Sequence, residues 1–538
     1  MTFVIEFLFT MLEGVRIHAL EHRAFLQTQT AVESAFGSYN SSLWEQYHIL
    51  ARDMQGMEET IIDMASSSMV LSEEGIHLLN FIPKEVQITK YRLLTDDSGR
   101  SYIKSVSNYM KEHVLYEGAQ GIYSQFEAVK SILDKNSVDN LDIEKALKSL
   151  NEKENGVSVE SSSFSKDSRL SNQVSLFKNS NLLTNVDSSY YFNLLENANC
   201  IYHFDLLKKL NFSHGLDLLD NLNSLYHFDI LKIAKNINSQ EIQKKGTSIL
   251  ESASNLQKMG ILQLVIEDNA TISSNIYEEK ERVSKRQLLK GTDTKISEIT
   301  WFDTILLQQY LLKYLGNYTK EMKSTVLSYE VEYLIGKKES DIENLKSVIS
   351  QILTIRQAIN MMYLLSDSAK MQTITTFAGI LAGVTGNPIV LELVKTGLVT
   401  AWAFGESILD IRALLQGKKI PFIKNETLWT LELEQIENLS TSFLTAKESQ
   451  KGMSYEDYLG ILLFFQKAEN LALYAMDIQE AVMQQQKGYE DFKMDRMVTG
   501  IGAEINYTYS FLFLSMQNLI SYDDAENIID SQTVFSYW

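Results

Sequence analysis

Three prolines, Pro83, Pro388 and Pro421, are all that this chain of 538 residues contains. Proline ends a helix by removing a backbone donor and by clashing with the preceding turn. Its scarcity lets helices run for many turns and sets a mainly helical fold as the expectation. The composition agrees: 45% of residues are hydrophobic and 22% charged, an ordinary globular balance over roughly two to four domains' worth of core. A net charge of −20 leaves no basic surface to replace the counterions of a nucleic acid, so a nucleic-acid partner is not expected. The lone cysteine, Cys200, rules out an intrachain disulfide and any cysteine-rich zinc site.

The first twelve residues, MTFVIEFLFTML, are apolar except for Thr2, Glu6 and Thr10. As a helix they span about 18 Å, against about 30 Å of hydrocarbon in a bilayer. They run without a turn residue into an amphipathic stretch with Ala24, Leu26, Ala31 and Ala35 near helical spacing. Residues 1–35 are therefore one helix, read either as a buried first helix or as the C-terminal part of a membrane anchor. TFVIEFLF with its early Glu6 also resembles the opening segment of type IV pilins, although no processing glycine precedes it.

The expected fold class is mainly α (α+β), with long helices around a helical core and a small antiparallel sheet. Residues 36–135 form a helical region, with Ser41-Ser42 as the cap of a helix through LWEQYHILARDMQGMEETIIDMA. A strand is expected over EVQITKYRL (85–93), then a turn at Thr95 to Gly99 and a helix from Ser101. The composition of residues 136–199 shifts to Ser, Asn, Lys and Asp, which reads as a flexible insertion. Residues 200–300 carry a repeat, Tyr202-His203-Phe204-Asp205 recurring as Tyr226-His227-Phe228-Asp229. Two copies are too few for a solenoid and read as a duplicated packing unit. Residues 301–538 form a helical core domain with further strands near 429–433 and 505–516. Within it, Met371 to Leu415 reads as a buried helix pair around Gly386-Asn387-Pro388, and Tyr455 to Gln486 as a long helix or helix pair.

Few residues suggest chemistry. His18-Ala19-Leu20-Glu21-His22 matches the H-x-x-E-H pattern of one metalloprotease class, since histidines at i and i+4 share a helix face and could hold zinc beside a glutamate base. No third ligand is apparent, so a zinc hydrolase at 18–22 is a minor alternative. Phosphate-binding, dinucleotide-binding and nucleophile-elbow motifs are missing; no catalytic residue, cofactor or metal ligand is assigned, and the expectation is a non-enzyme. The one candidate cluster is charged. Glu406 and Asp410 are i,i+4 on an otherwise apolar helix, with Arg412 close in sequence and Arg356 on a preceding helix. Two carboxylates on one face need a cation, so the expectation is a buried charge network, with a small-ligand or metal-binding module as the alternative.

Several segments resemble a family of uncharacterised bacterial proteins, mainly from Gram-positive anaerobes, encoded beside Tad/Flp pilus assembly genes. The resemblance lies in Tyr329-Glu330-Val331-Glu332-Tyr333-Leu334, Arg356 and Asn360, Ala401-Trp402-Ala403 with Glu406 and Asp410, Leu414 to Pro421, Trp429, and Ser454 to Leu459. Further matches at Leu94-Thr95-Asp96 with Gly99, Tyr109-Met110 and Met259 to Leu262 extend it over nearly the full length. It implies a single-pass membrane protein whose bulk is extracytoplasmic, with a transmembrane helix running into a segment like Leu12 to Ala19; this sequence starts partway through that helix. The implied partners are the membrane, through the N-terminal helix, and other pilus or cell-envelope proteins. The resemblance supplies no activity, and nothing in the sequence sets an oligomeric state.

Overall fold

A computed structural model of the chain describes residues 2–67, 78–117, 241–268, 271–278, 281–293, 296–322, 326–382, 388–450, 452–514 and 527–537. The Ser/Asn-rich stretch at 136–199, Cys200, the Tyr-His-Phe-Asp repeat and the Gly386-Asn387 turn lie outside the described residues. In chain order the first elements are α1 (Thr2–Phe36), α2 (Ser41–Tyr47), β1 (Arg52–Asp53), α3 (Met57–Ser67), β2 (Ile82–Leu93) and α4 (Asp96–Glu117). After residue 240 come α5 (Glu241–Lys258), α6 (Ile261–Val265), α7 (Trp301–Tyr314), α8 (Glu330–Gly336), α9 (Asp341–Ser366), α10 (Ser368–Ala382) and α11 (Pro388–Leu415). The last are α12 (Tyr455–Phe464), α13 (Ala468–Gln484), β3 (Met497–Tyr509) and β4 (Asn527–Ser536). The mainly helical class with a small antiparallel sheet is what the sequence led us to expect.

These elements form two compact units, and both are discontinuous in sequence. The first gathers Met1–Glu117, Glu279–Tyr314 and Lys467–Trp538; the second gathers Gly118–Glu278 and Leu315–Gln466. The stretch 301–538 thus contributes to both.

In the first unit β3 is the axis of a four-stranded antiparallel sheet, with β2 on one side and β1 and β4 on the other. The inward residues of β3, Ile501, Ala503, Ile505 and Tyr507, pack with Leu20, Ala24, Ala31, Val32 and Ala35 of α1 and Ile61 of α3. Small alanines on α1 let the helix lie close to the sheet, and the Thr28 hydroxyl meets the Tyr507 hydroxyl at 3.1 Å. The strand expected at 505–516 is displaced. It begins at Met497 and ends at Tyr509, because the N–H groups of Leu512 and Phe513 donate to the Glu13 carboxylate (3.1 and 2.6 Å) instead of to a neighbouring strand. The helix expected to run on from Ser41-Ser42 is also broken. Asn40, not Ser41, caps α2 by accepting from the Leu43 N–H, and His48 at φ 53° ends it. At the head of α4, Asp97, Ser98 and Gly99 are left-handed, which places the turn expected there. Gly99 at φ 85° is in a region that favours glycine, and a side chain there would also lie 3.1 Å from the Ala472 methyl on α13, a tight contact.

In the second unit α9, α10 and α11 pack together with α5 and α6. The expected helix pair within 371–415 is α10 and α11, and Tyr455 to Gln486 is two helices, α12 and α13, one in each unit. The strand expected at 429–433 is not formed. Residues 429–432 are irregular and a 3-10 turn begins at Leu433. The β-forming residues are held by side chains there: the Thr430 and Leu431 N–H groups donate to Glu406 (3.0 and 2.7 Å). The Leu431 carbonyl accepts from the indoles of Trp402 and Trp429 (2.8 and 2.7 Å).

Candidate functional site

The charge network expected from the sequence assembles inside the second unit. One turn of α11 carries Glu406, Ser407 and Asp410, α9 brings Arg356 and Asn360, and the loop after α11 brings Lys424. Arg356 donates from Nε to Asp410 (2.9 Å) and from Nη1 to the carbonyls of Pro421 (3.1 Å) and Phe422 (2.7 Å) and to the Tyr458 hydroxyl (3.1 Å). Asn360 bridges Ser407 and Asp410, both at 2.9 Å. The Lys424 ammonium pairs with Glu406 and, at 2.6 Å, with Asp410.

The four charged side chains are fully buried, and two cations answer two anions. Burial disfavours the Asp410 carboxylate, but Arg356 and Lys424 outweigh it and hold its pKa below the ordinary value. Burial likewise opposes the Arg356 charge, and Asp410 with Tyr458 more than restores it. The paired cluster fixes the mutual positions of α9, α11 and the 421–431 loop.

Arg412 does not join the other three. It turns away to donate to the carbonyls of Leu264, Leu439, Ser442 and Leu444 at 2.8 to 3.1 Å, and burial, only partly offset by the Glu267 charge, lowers its pKa to about 10. Two places on i and i+2 of a helix face different directions, which separates it from Asp410. Lys424 takes the position expected for Arg412, and its place in the irregular Pro421-Phe422-Ile423-Lys424 gave no periodic signal.

A second buried acid went unread in the sequence. Glu332 on α8 accepts from the Tyr318 N–H (2.9 Å) and the Tyr455 hydroxyl (2.8 Å), both through Oε1, while Oε2 has no hydrogen-bond partner. Burial pushes its carboxyl up to about 7.

The first unit presents a different surface. At 100° per residue, Val4, Leu8, Met11 and Val15 fall within about 60° of one another on α1, and Phe9, Glu13, Arg16 and Leu20 fall within about 60° some 140° away. The second set meets the body. Phe9 stacks on Phe513, Glu13 and Arg16 pair at 2.6 Å, and Arg16 donates to the Leu78 and Ser510 carbonyls (2.6 and 3.0 Å). The first set faces out, with Val4 64%, Leu8 54%, Met11 58% and Val15 70% exposed. Large apolar side chains in such a row on the outer face of a packed unit mark a contact surface. Of the residues expected on the helical repeat, Ala24, Ala31 and Ala35 are buried and Leu26 is exposed.

His18 and His22 lie on this outward face and are exposed. His18 Nδ1 is 3.3 Å from the Glu21 carboxylate. Among the described residues no group of three or more histidine, cysteine, aspartate or glutamate side chains could hold a metal, so the H-x-x-E-H motif stands here as two imidazoles and a carboxylate. Among the described residues, too, no helix is long and apolar enough to cross a membrane.

No curated protein and no solved structure matches the chain. Residues 239–509, half of the chain, match the model of a family of unknown function, DUF5702. The match takes in every described element of the second unit and, from the first, α7, α13 and β3. The chain is therefore a member of the DUF5702 family.

Proposed function

We propose that this is a non-catalytic protein of the bacterial cell envelope, an accessory or pseudopilin-like component of a Tad/Flp-type pilus or related surface apparatus, joined to membrane and neighbours through α1. The observation that carries this reading is the outward face of α1. Its apolar residues begin at the N-terminal end and are directed away from the sheet that the same helix covers. The apolar start covers about 18 Å against about 30 Å of hydrocarbon, so the described residues of α1 do not by themselves cross a bilayer. The resemblance of 329–334, 401–410 and 454–459 to envelope proteins encoded beside pilus genes supports the same setting, by association only. The alternative of an extracytoplasmic ligand module rested on Arg356, Glu406 and Asp410. Their mutual pairing, closed by Lys424, favours the interaction reading.

The test is fractionation of native cells carrying the natural gene. The protein is expected in the envelope fraction, with Leu8→Glu/Met11→Glu shifting it toward the soluble fraction. Recovery of the unmodified protein from the cytosol contradicts the proposal.

A further inference from the structure

The outward face of α1 continues past its apolar start with a regular spacing. Val4, Leu8, Met11, Val15, His18, His22 and Phe25 follow one another at alternating steps of four and three residues, the repeat of a helix that packs along a second helix. Phe25 is 46% exposed and the apolar members before it more so. On this seam the two histidines occupy positions that the repeat assigns to the contact itself. Histidines at i and i+4 stand about 5–6 Å apart at Cβ on one helix face, a spacing that suits chelation by neutral imidazoles. Glu21 next to His18 Nδ1 leaves Nε2 for a metal and supplies the carboxylate that commonly orients a ligating imidazole.

We propose that the outward face of α1 pairs, parallel and in register, with the same face of a second copy of this chain, and that His18 and His22 of the two copies together hold one zinc-like divalent cation. This rests on reading α1 as the assembling element. A single chain offers two ligands, which is too few; a two-fold pair offers four imidazoles within one turn, the tetrahedral set that Zn²⁺ takes at about 2.0–2.1 Å. The parallel register is the one that sets the apolar positions Val4 to Val15 against their counterparts while also bringing His18 to its counterpart and His22 to its own. The size of the face fits a second copy: Val4, Leu8, Met11, Val15 and Phe25, with Phe7 and Leu26 beside them, present on the order of 750 Å², against about 800 Å² per partner in a standard interface. Charge argues against lipid as the sole occupant of the seam, and the membrane contact proposed for α1 is then made by the pair. Interfacial helices carry Lys and Arg on their polar side, and residues 2–15 contain neither, while the first, Arg16, is buried with Glu13.

The test is sedimentation velocity of the purified chain at micromolar concentration, with EDTA or with Zn²⁺ alone, paired with Co²⁺ spectroscopy. Zinc is expected to tighten dimerisation at least tenfold at one metal per two chains, and Co²⁺ to give the intense visible bands of a tetrahedral site. His18→Ala/His22→Ala is expected to remove both effects with an unchanged circular dichroism spectrum, and Leu8→Glu/Met11→Glu to abolish the dimer. Metal bound with no change of mass, a metal response that survives the double histidine variant, or flotation with phosphatidylcholine vesicles as a monomer would overturn the proposal. These outcomes are independent of where the protein resides in the cell, so they separate this inference from the envelope assignment.

Discussion

The interior of the second unit and the outward face of α1 solve opposite problems. Inside, Arg356, Lys424, Glu406 and Asp410 are charges in a place that disfavours charge, and each is answered by another. On α1, apolar side chains stand in a place that disfavours them, and among the described residues nothing covers them. A buried polar cluster with complete pairing is explained by folding alone. A regular apolar seam without a partner is not, and its cost to the free chain points to a contact made by another molecule.

The comparison predicts that the two regions respond to mutation in different currencies. The largest stability effect is expected for Lys424→Met. It leaves Glu406 and Asp410 with Arg356 as their only cation, and loss of one partner from a buried ion cluster costs about 3–5 kcal/mol. Urea unfolding followed by fluorescence of Trp402 and Trp429 would read it; a loss under 1 kcal/mol would show that the cluster is not a keystone.

A pH effect of somewhat smaller size is expected from Glu332. Its folded-state pKa, about 7, lies above the ordinary 4.5, so the folded chain holds this proton more tightly than the unfolded chain. The stabilisation is complete below about pH 4.5 and is lost as pH rises through about 7, a change of about 3 kcal/mol from this group. Glu332→Gln should flatten that slope in unfolding curves taken between pH 4.5 and 8. An unchanged slope would mean that Glu332 titrates as an exposed carboxyl does.

Asp410 has the opposite sign. Its depressed pKa means that its contribution is present at neutral pH and is lost only as pH falls below the ordinary carboxylate value near 3.8. Acid unfolding of Asp410→Asn should therefore begin from a lower plateau and show a shallower fall below pH 4.

The smallest stability effect is expected on the outward face. Leu8→Glu/Met11→Glu should change unfolding by no more than about 0.5 kcal/mol, as exposed substitutions do, while its effect on association should be the largest of the set. A marked destabilisation would mean that the face is covered within the chain.

Much of the fold was legible because its signals are local. The scarcity of proline announced the long helices, and the alternation in EVQITKYRL announced β2. Other strands were hidden by particular residues. Gly500 and Gly502 break the apolar alternation through the first half of β3, and β4 carries Asp530 and Gln532 outward, so neither run looks like a strand. The segment at 429–433 misled for the converse reason: Trp429, Thr430 and Leu431 favour strands, but the Glu406 carboxylate and the Leu431 carbonyl take the hydrogen bonds that a strand would need. In the charge network Arg356, Glu406 and Asp410 were readable from helical spacing. Lys424 was not, because it comes from an irregular loop with no period, and the direction of Arg412 depends on carbonyls far away in sequence. The outward face of α1 was apolar in the sequence from the start, but only the packing of Phe9, Glu13 and Arg16 against the body shows which side is free.

The central claim is that the outward face of α1 is the surface this protein works through. Its most direct test is photo-crosslinking in native cells with the reactive group placed at Val15, and at the exposed Lys346 of α9 for comparison. The account expects an adduct from Val15 at about twice the chain's mass, or a discrete larger one to an envelope protein, and none of comparable yield from Lys346. Equal yields from the two positions, or no adduct from Val15, would contradict it.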